Sequence, residues 1–271
     1  MIVISGNIRG LNSKGKQRYM KDKLKREKPS IMILQETKIS VQQLEGILGK
    51  NNLHYEVMGL DAIGSAGGIA ILWNPNDIIL DRWTSMSRIL TGQGRIVGTK
   101  EQVVVSGVYG PPSIGEKENF IASMKVIRRL YPEAAWIIGG DFNLIRSLDE
   151  KKGGVRKVDQ IMDRFNETIE DLRLVDIQTI NGIFTWNNRR GGKNQIASRL
   201  DRFLVSEAIM NKDIFVEAKI IPSLGSDHWP IRLEIDIKKN RGRRPFRFES
   251  FWLRDPEFIK KVEEWWRQSS M

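Results

Sequence analysis

Residues 134–143, "AAWIIGGDFN", set a short apolar run against a glycine pair and then an acid and an amide. A run so short, rich in Ile and Trp and closed by glycine, reads as a buried strand. The glycine pair reads as a turn that lets backbone come close, leaving Asp141 and Asn143 at the strand's end. The same arrangement recurs along the chain. Asn7 follows "IVISG", Glu36 follows "IMILQ", Tyr109 follows "VVVSGV", Asp201 follows "ASRL", and Asp227 with His228 precedes "WPIRLEI". A single acid at a strand end is ordinarily a turn or cap residue. Seven such positions in one chain point instead to a cleft, because strand ends in layered α/β proteins converge on one rim.

Working outward, apolar β-branched runs cover residues 2–5, 31–34, 68–73, 78–83, 103–108, 136–138, 200–205, 219–222 and 231–237. Helical periodicity covers residues 16–26, 41–48, 117–130 and 160–172. Strands outnumber helices about two to one, and helices come singly between strands, which predicts an α/β sandwich of two layered sheets rather than a strictly alternating doubly wound fold. Near residue 238 the pattern changes. Residues 238–250 form a basic linker that opens "KKNRGRRPFR", and residues 251–271 predict an amphipathic helix with Asp255 as N-cap, Pro256 at its first position and Phe258, Val262, Trp265 and Trp266 on one side.

Composition narrows the chemistry. The chain of 271 residues has no cysteine and two histidines, which removes disulfides, thiolate nucleophiles and thiolate or multi-histidine zinc sites. A catalytic metal would therefore rest on oxygen ligands, as magnesium or manganese does. A net charge of +11 is the balance expected of a partner to a polyanion. No apolar stretch approaches the roughly 20 residues of a bilayer helix. With no secretory leader visible at "MIVISGNIRG", a nuclear or cytoplasmic protein without membrane attachment is expected.

The acids and amides form a coherent set for phosphate chemistry. Glu36 with another acid would hold a divalent cation, and Asp141 would orient or deprotonate a water. Asn7 and Asn143 would donate to phosphate oxygens without adding negative charge. His228, backed by Asp201 or Asp227, would be held as an imidazolium beside developing charge. The glycine-rich stretch "GSAGG" at residues 64–68 lacks a phosphate-loop ending and reads as a flexible entry to a strand. His54 reads as a surface strand residue.

Taken in series, "VISGNIRGLN", "ILQETK", "GVYGPP", "IIGGDFNLI", "FTWNN", "SRLDRFLVS" and "GSDHWPI" resemble the endonuclease/exonuclease/phosphatase superfamily, and most closely the apurinic-type endonuclease of LINE-type non-LTR retrotransposons. The resemblance implies a DNase-I-like four-layer α/β sandwich over residues 1–237, two packed mixed β-sheets flanked by helices. It also implies a Mg²⁺-dependent phosphodiesterase, with Mn²⁺ as a substitute, acting on DNA as a monomer. By motif, Glu36 becomes the principal metal ligand, helped by Asn7, with Asp227 on the metal side. Asp141 activates water, Asn143 and Tyr109 contact the scissile phosphate, His228 stabilises it, and Asp201 orients His228. Thr185 and Ser226 support phosphate or backbone. Such enzymes nick one strand and free a 3′-hydroxyl that primes reverse transcription.

Two departures stand out. Gly6 occupies a position where these sequences usually carry Trp; loss of a buried Trp costs about 3–5 kcal/mol and loosens the strand end that aims Asn7, so a weakened enzyme is expected. The C-terminal segment resembles the start of a truncated downstream region leading toward a reverse transcriptase, yet no Tyr/Phe-x-Asp-Asp polymerase motif is present. The Lys-, Arg- and Gly-rich loops at residues 146–156 and 187–193 are expected to touch DNA. The competing expectations are a phosphoesterase of the same fold acting on a small ester or phosphoinositide, and a catalytically weak nucleic-acid-binding module.

Overall fold

A computed structural model describes residues 1–62, 67–132, 134–155, 157–210, 214–223, 225–236 and 256–268. The basic linker and the capping Asp255 lie outside the described residues, as do Gly64–Ala66 of the glycine-rich stretch and Arg156. Contacts within the chain divide it into a unit of residues 1–239 and one of residues 240–271.

The first unit contains two six-stranded mixed sheets. In one, the strand order is β14 (Phe215–Ile220), β15 (Ile231–Asp236), β1 (Ile2–Asn7), β2 (Ile31–Gln35), β4 (Ile69–Trp73) and β3 (Glu56–Leu60). In the other it is β10 (Leu174–Ile177), β13 (Asp201–Ser206), β8 (Ala135–Asp141), β7 (Gln102–Tyr109), β6 (Ile89–Ile96) and β5 (Ile78–Met86). A small third sheet joins β11 (Trp186–Asn187), β12 (Ala197–Ser198) and β9 (Lys151–Lys152).

Period-two alternation builds the layers. In β2, Ile31 and Ile33 enter a core shared with Val105, Ile137, Phe203 and Leu233, between the two sheets. The intervening Met32 and Leu34 pack outward on Met20 and Leu24 of α1 (Lys14–Glu27) and Leu44 and Leu48 of α2 (Val41–Gly49). On the far side, Trp136 and Ile138 of β8 meet Phe120 and Met124 of α3 (Ile114–Leu130) and Phe165 and Ile169 of α4 (Gln160–Asp171). The order helix, sheet, sheet, helix is the four-layer sandwich expected. Strands covered on both faces show unbroken apolar runs, which is why they were visible in the sequence. The short α5 (Glu207–Met210) follows β13, and α6 (Pro256–Gln268) belongs to the second unit.

The structure differs from the sequence reading in places. Gly139 and Gly140 are not a turn but the last part of β8. A Cβ on Gly139 would stand 2.5 Å from the Phe203 ring, and Gly140, at φ +154°, would drive one to 2.1 Å from the Val108 carbonyl. Here glycine permits close approach of neighbouring strands rather than reversal. His54 lies in the connection before β3, not in a strand. β3, β6 and β10 were missed because their apolar residues are interrupted by Gly, Gln or Asp.

Candidate active site

Strand register assembles the site. Asp141, the last residue of β8, is paired with Tyr109 on one side and Asp201 on the other. In the facing sheet Asn7 ends β1 beside Gln35, and Glu36 follows directly. Because the two sheets stack face to face, these ends share one rim. Their backbone is tightly turned there: Arg9, Glu36, Lys38 and Asn143 all have φ between 50° and 54°, a left-handed conformation rare for side-chain-bearing residues and commonest at functional sites.

The side chains form one chain of contacts. Asn7 donates from Nδ2 to Glu36 Oε1 at 2.9 Å and to Asp141 Oδ2 at 3.0 Å. Tyr109 donates its hydroxyl to the same Glu36 oxygen at 3.1 Å. Asn143 donates its backbone N–H to Asp141 Oδ1 and its amide to the Gly110 carbonyl. His228 meets Asp201 Oδ2 through Nδ1 at 2.9 Å, and its Nε2 lies 3.7 Å from Asp141 Oδ2. Asp201, rather than the adjacent Asp227, is thus the carboxylate on the imidazole.

Asp227 turns aside. Its Oδ2 accepts from Trp186 Nε1 at 2.8 Å and pairs with Arg9 at 2.9 Å, while its buried Oδ1 has no hydrogen-bond partner among the described residues. Thr185 and Ser226 face backbone. The Thr185 hydroxyl accepts from Leu200 and Asp201 N–H, and Ser226 donates to the Asn7 carbonyl and accepts from His228 N–H. Two further backbone bonds, Trp229 N–H to Thr185 and Asn187 N–H to Asp227, clamp the histidine loop.

Burial sets the electrostatics. Burial pushes the Asp141 carboxyl up to about 7; Asp201 adds to the rise, while His228 and Asn7 oppose it. For His228 burial disfavours the cation, but the contacting Asp201, helped by Asp141 and Asp227, outweighs it and holds the imidazole up to about 9. Burial, then the negative charge of Glu36, raises the Tyr109 hydroxyl, so it remains a donor.

Several participants were not foreseen. Lys38 pairs with Glu36 at 3.5 Å, Arg9 holds Asp227, and Lys16 caps the Ile8 and Arg9 carbonyls. Lys16 is held below its ordinary value by burial and then by the positive charge of Lys38 and Arg9. Beneath the site, Arg199 and Arg202 are buried with Asp176 and Glu150. The motif "SRLDR", an arginine on either side of Asp201, was the available signal. Of the loops expected to touch DNA, Arg146 turns inward to Asn166 and Asp176, and Arg189 donates to the Ser226 carbonyl.

At Gly6 the outward Cβ direction is filled: a Cβ there would lie 3.0 Å from Pro230 Cβ. A void of about 30 Å³ lies alongside, lined in part by Ile4, Tyr19, Met20 and Pro230. Asn7 is nonetheless buried and doubly bonded to the acids. An indole at position 6 would have to displace Pro230, so Gly6→Trp is expected to lower the melting temperature through overpacking worth about 1–3 kcal/mol. A rise measured by differential scanning calorimetry would contradict this.

A family model described as the endonuclease/exonuclease/phosphatase family matches residues 4–228. The chain belongs to that family. Solved structures of similar fold include the 3′-5′ exonuclease NExo of Neisseria meningitidis (TM-score 0.70, 18% identity, 87% of this chain and 100% of that one). The AP endonuclease LMAP of Leishmania major has TM-score 0.70 and 19% identity, over 86% of each chain. The endonuclease domain of TRAS1, a telomere-specific non-LTR retrotransposon, has TM-score 0.66 and 20% identity, over 88% of this chain and 99% of that one. Members of the endonuclease/exonuclease/phosphatase family are hydrolytic nucleases and phosphatases, generally dependent on divalent metal. Among the described residues no helix is long and apolar enough to cross a membrane.

Proposed function

We propose that this family member is a Mg²⁺-dependent phosphodiesterase that nicks DNA, a retrotransposon-type endonuclease leaving a 3′-hydroxyl. The observation that carries the reading is His228 set between two buried aspartates, on a rim where Asn7 joins Asp141 to Glu36. The motif order, the net charge of +11 and the likeness to a retrotransposon endonuclease support the finer assignment.

In chemical type, carboxylate and amide oxygen, the donors suit a hard divalent cation. Glu36 and Asp227 offer carboxylate oxygens, and the unpartnered buried Oδ1 of Asp227 is costly to leave without a cation or donor. Glu36 and Asp227, with Asn7 helping, would hold the ion, which when bound lends Lewis-acid charge to a phosphoryl oxygen. Asp141, Asp201 and His228 also lie close enough to share a metal, but the imidazole Nδ1 is already held by Asp201, so we assign this trio to acid-base work.

Asp141, once it has lost its proton as pH rises through about 7, accepts the proton of the attacking water. His228 keeps its positive charge beside the phosphorane oxygens, and Asp201 fixes its ring. Asn143 and Tyr109 carry donors that orient the phosphate. The test is supercoiled plasmid with Mg²⁺ or EDTA. Nicked circles are expected with Mg²⁺ alone, and Glu36→Gln is expected to raise the Mg²⁺ concentration for half-maximal rate by at least tenfold. Equal nicking in EDTA, or cleavage of inositol phosphates in preference to plasmid, would contradict the reading.

A further inference from the structure

The helix α1 carries a pattern that the catalytic site does not use. Lys14, Arg18, Lys21 and Lys25 recur at spacings of four, three and four, which places them on one helical stripe. They line a groove of about 1100 Å³ between α1 and α2, and Lys50 and Lys38 complete its basic wall. One acid, Asp22, stands among the groove residues, and none of Lys14, Arg18, Lys21, Lys25 or Lys50 makes an ion pair among the described residues. The first turn of α1 contains no acid, so Lys14 and Lys16 sit at the positive end of the helix dipole. Like charges at Lys14 and Arg18, and again at Lys21 and Lys25, repel at i, i+4. Beyond a Lys21 hydrogen bond to Asn51 and the favourable place of Lys25 in the last turn, these cations pair with no acid among the described residues, and a polyanion in the groove would neutralise them.

The groove adjoins the active site through Lys38. Lys38 lines it and also pairs with Glu36 at 3.5 Å, and α1 begins seven residues after Asn7. From Lys14 to Lys25 the stripe runs about 16 Å at 1.5 Å per residue, which matches about five phosphates at 3.4 Å per nucleotide of one strand.

We infer that the α1/α2 groove is a nucleic-acid track that holds the phosphodiester backbone of the substrate beyond the nick. This rests on DNA being the substrate. It locates affinity on a helix face separate from the residues of the chemistry, so long DNA is gripped at phosphates that a short duplex cannot reach.

The test replaces the three exposed cations, Arg18→Gln, Lys25→Gln and Lys50→Gln, in the full chain. Binding to a 40-base-pair duplex is measured in EDTA across a range of salt, without any need for catalysis. The slope of log K against log salt is expected to fall by roughly two to three, about 0.9 for each phosphate no longer neutralised. Binding to a duplex that ends within two base pairs of the nick is expected to change less than twofold, as is its nicking rate with Mg²⁺. The melting temperature is expected to stay level or rise, since repulsive pairs are removed. An unchanged slope overturns the inference even where wild-type nicking is intact, and so does lost binding to phosphatidylserine vesicles with DNA binding unaltered. A reduced slope in a chain that never nicks leaves the groove assigned and rejects the catalytic reading instead.

Discussion

His228→Ala is expected to lower the plasmid-nicking rate by roughly 10²–10³-fold, the usual loss when one donor to a developing oxyanion is removed. Asp141→Ala is expected to cost roughly 10²–10⁴-fold through loss of the general base. The double variant should be little worse than the poorer single one, because the two groups act as a unit. The pH dependence gives a sharper result. The proposed chemistry needs Asp141 without its proton and His228 with one. Activity therefore rises as pH passes about 7 and falls as it passes about 9, giving a bell with its optimum between. Asp201→Asn removes the charge that raises both groups, so both limbs should move toward acid and the maximum should fall. A basic limb that stays in place in Asp201→Asn would show that the imidazole does not depend on Asp201.

The same pair has a folding consequence whose sign is fixed. Both groups have folded values raised above their ordinary ones, so both favour the folded state while protonated. Asp141 stabilises below about 4 and loses that contribution as pH rises through about 7; His228 stabilises below about 6.5 and loses its contribution through about 9. The site is thus held together least well in the alkaline range.

Much of the fold and of the site's composition was readable in the sequence for one physical reason. Strands buried on both faces cannot alternate with polar residues, so β2, β4, β7 and β8 appear as plain apolar runs, and the polar residues that close β1 and β8 or directly follow β2 mark the rim. Asp141, Glu36 and Asn7 were found that way. What the sequence did not show are interactions made at long range by residues that ordinarily face water. Lys38 and Arg9 are adjacent to site residues, yet nothing in their spacing says they will pair with Glu36 and Asp227. The glycines before Asp141 allow a turn as readily as a tight strand, and only the Phe203 ring against Gly139 decides between them.

The largest stability effect is expected from Asp176, which in the sequence looks like an ordinary surface acid. Asp176 is buried and accepts from Nη1 and Nη2 of Arg199, at 2.8 and 2.6 Å, and from Arg202 at 2.7 Å. Glu150 accepts from the same two arginines at 2.7 and 2.8 Å. Burial would raise the Asp176 carboxyl, but the two guanidinium groups outweigh it and hold it below the usual carboxylate range. Asp176→Ala leaves two buried cations sharing one acid, a loss of roughly 3–5 kcal/mol. For a unit of this size that lowers the melting temperature by roughly 6–20 °C. The wild type should also lose stability in acid. A depressed folded value favours the fold above the unfolded value near 4 and is lost as pH falls below it, and Glu150, likewise depressed, adds to the same window. Because Arg202 follows Asp201 in β13 and Arg199 lies just before the strand, the cluster also fixes the strand that aims His228. Asp176→Ala at a temperature where it remains folded is therefore expected to nick more slowly with an unchanged Mg²⁺ requirement. A melting temperature within 2 °C of wild type would show that the buried charges find other partners and that this cluster does not hold β13 in place.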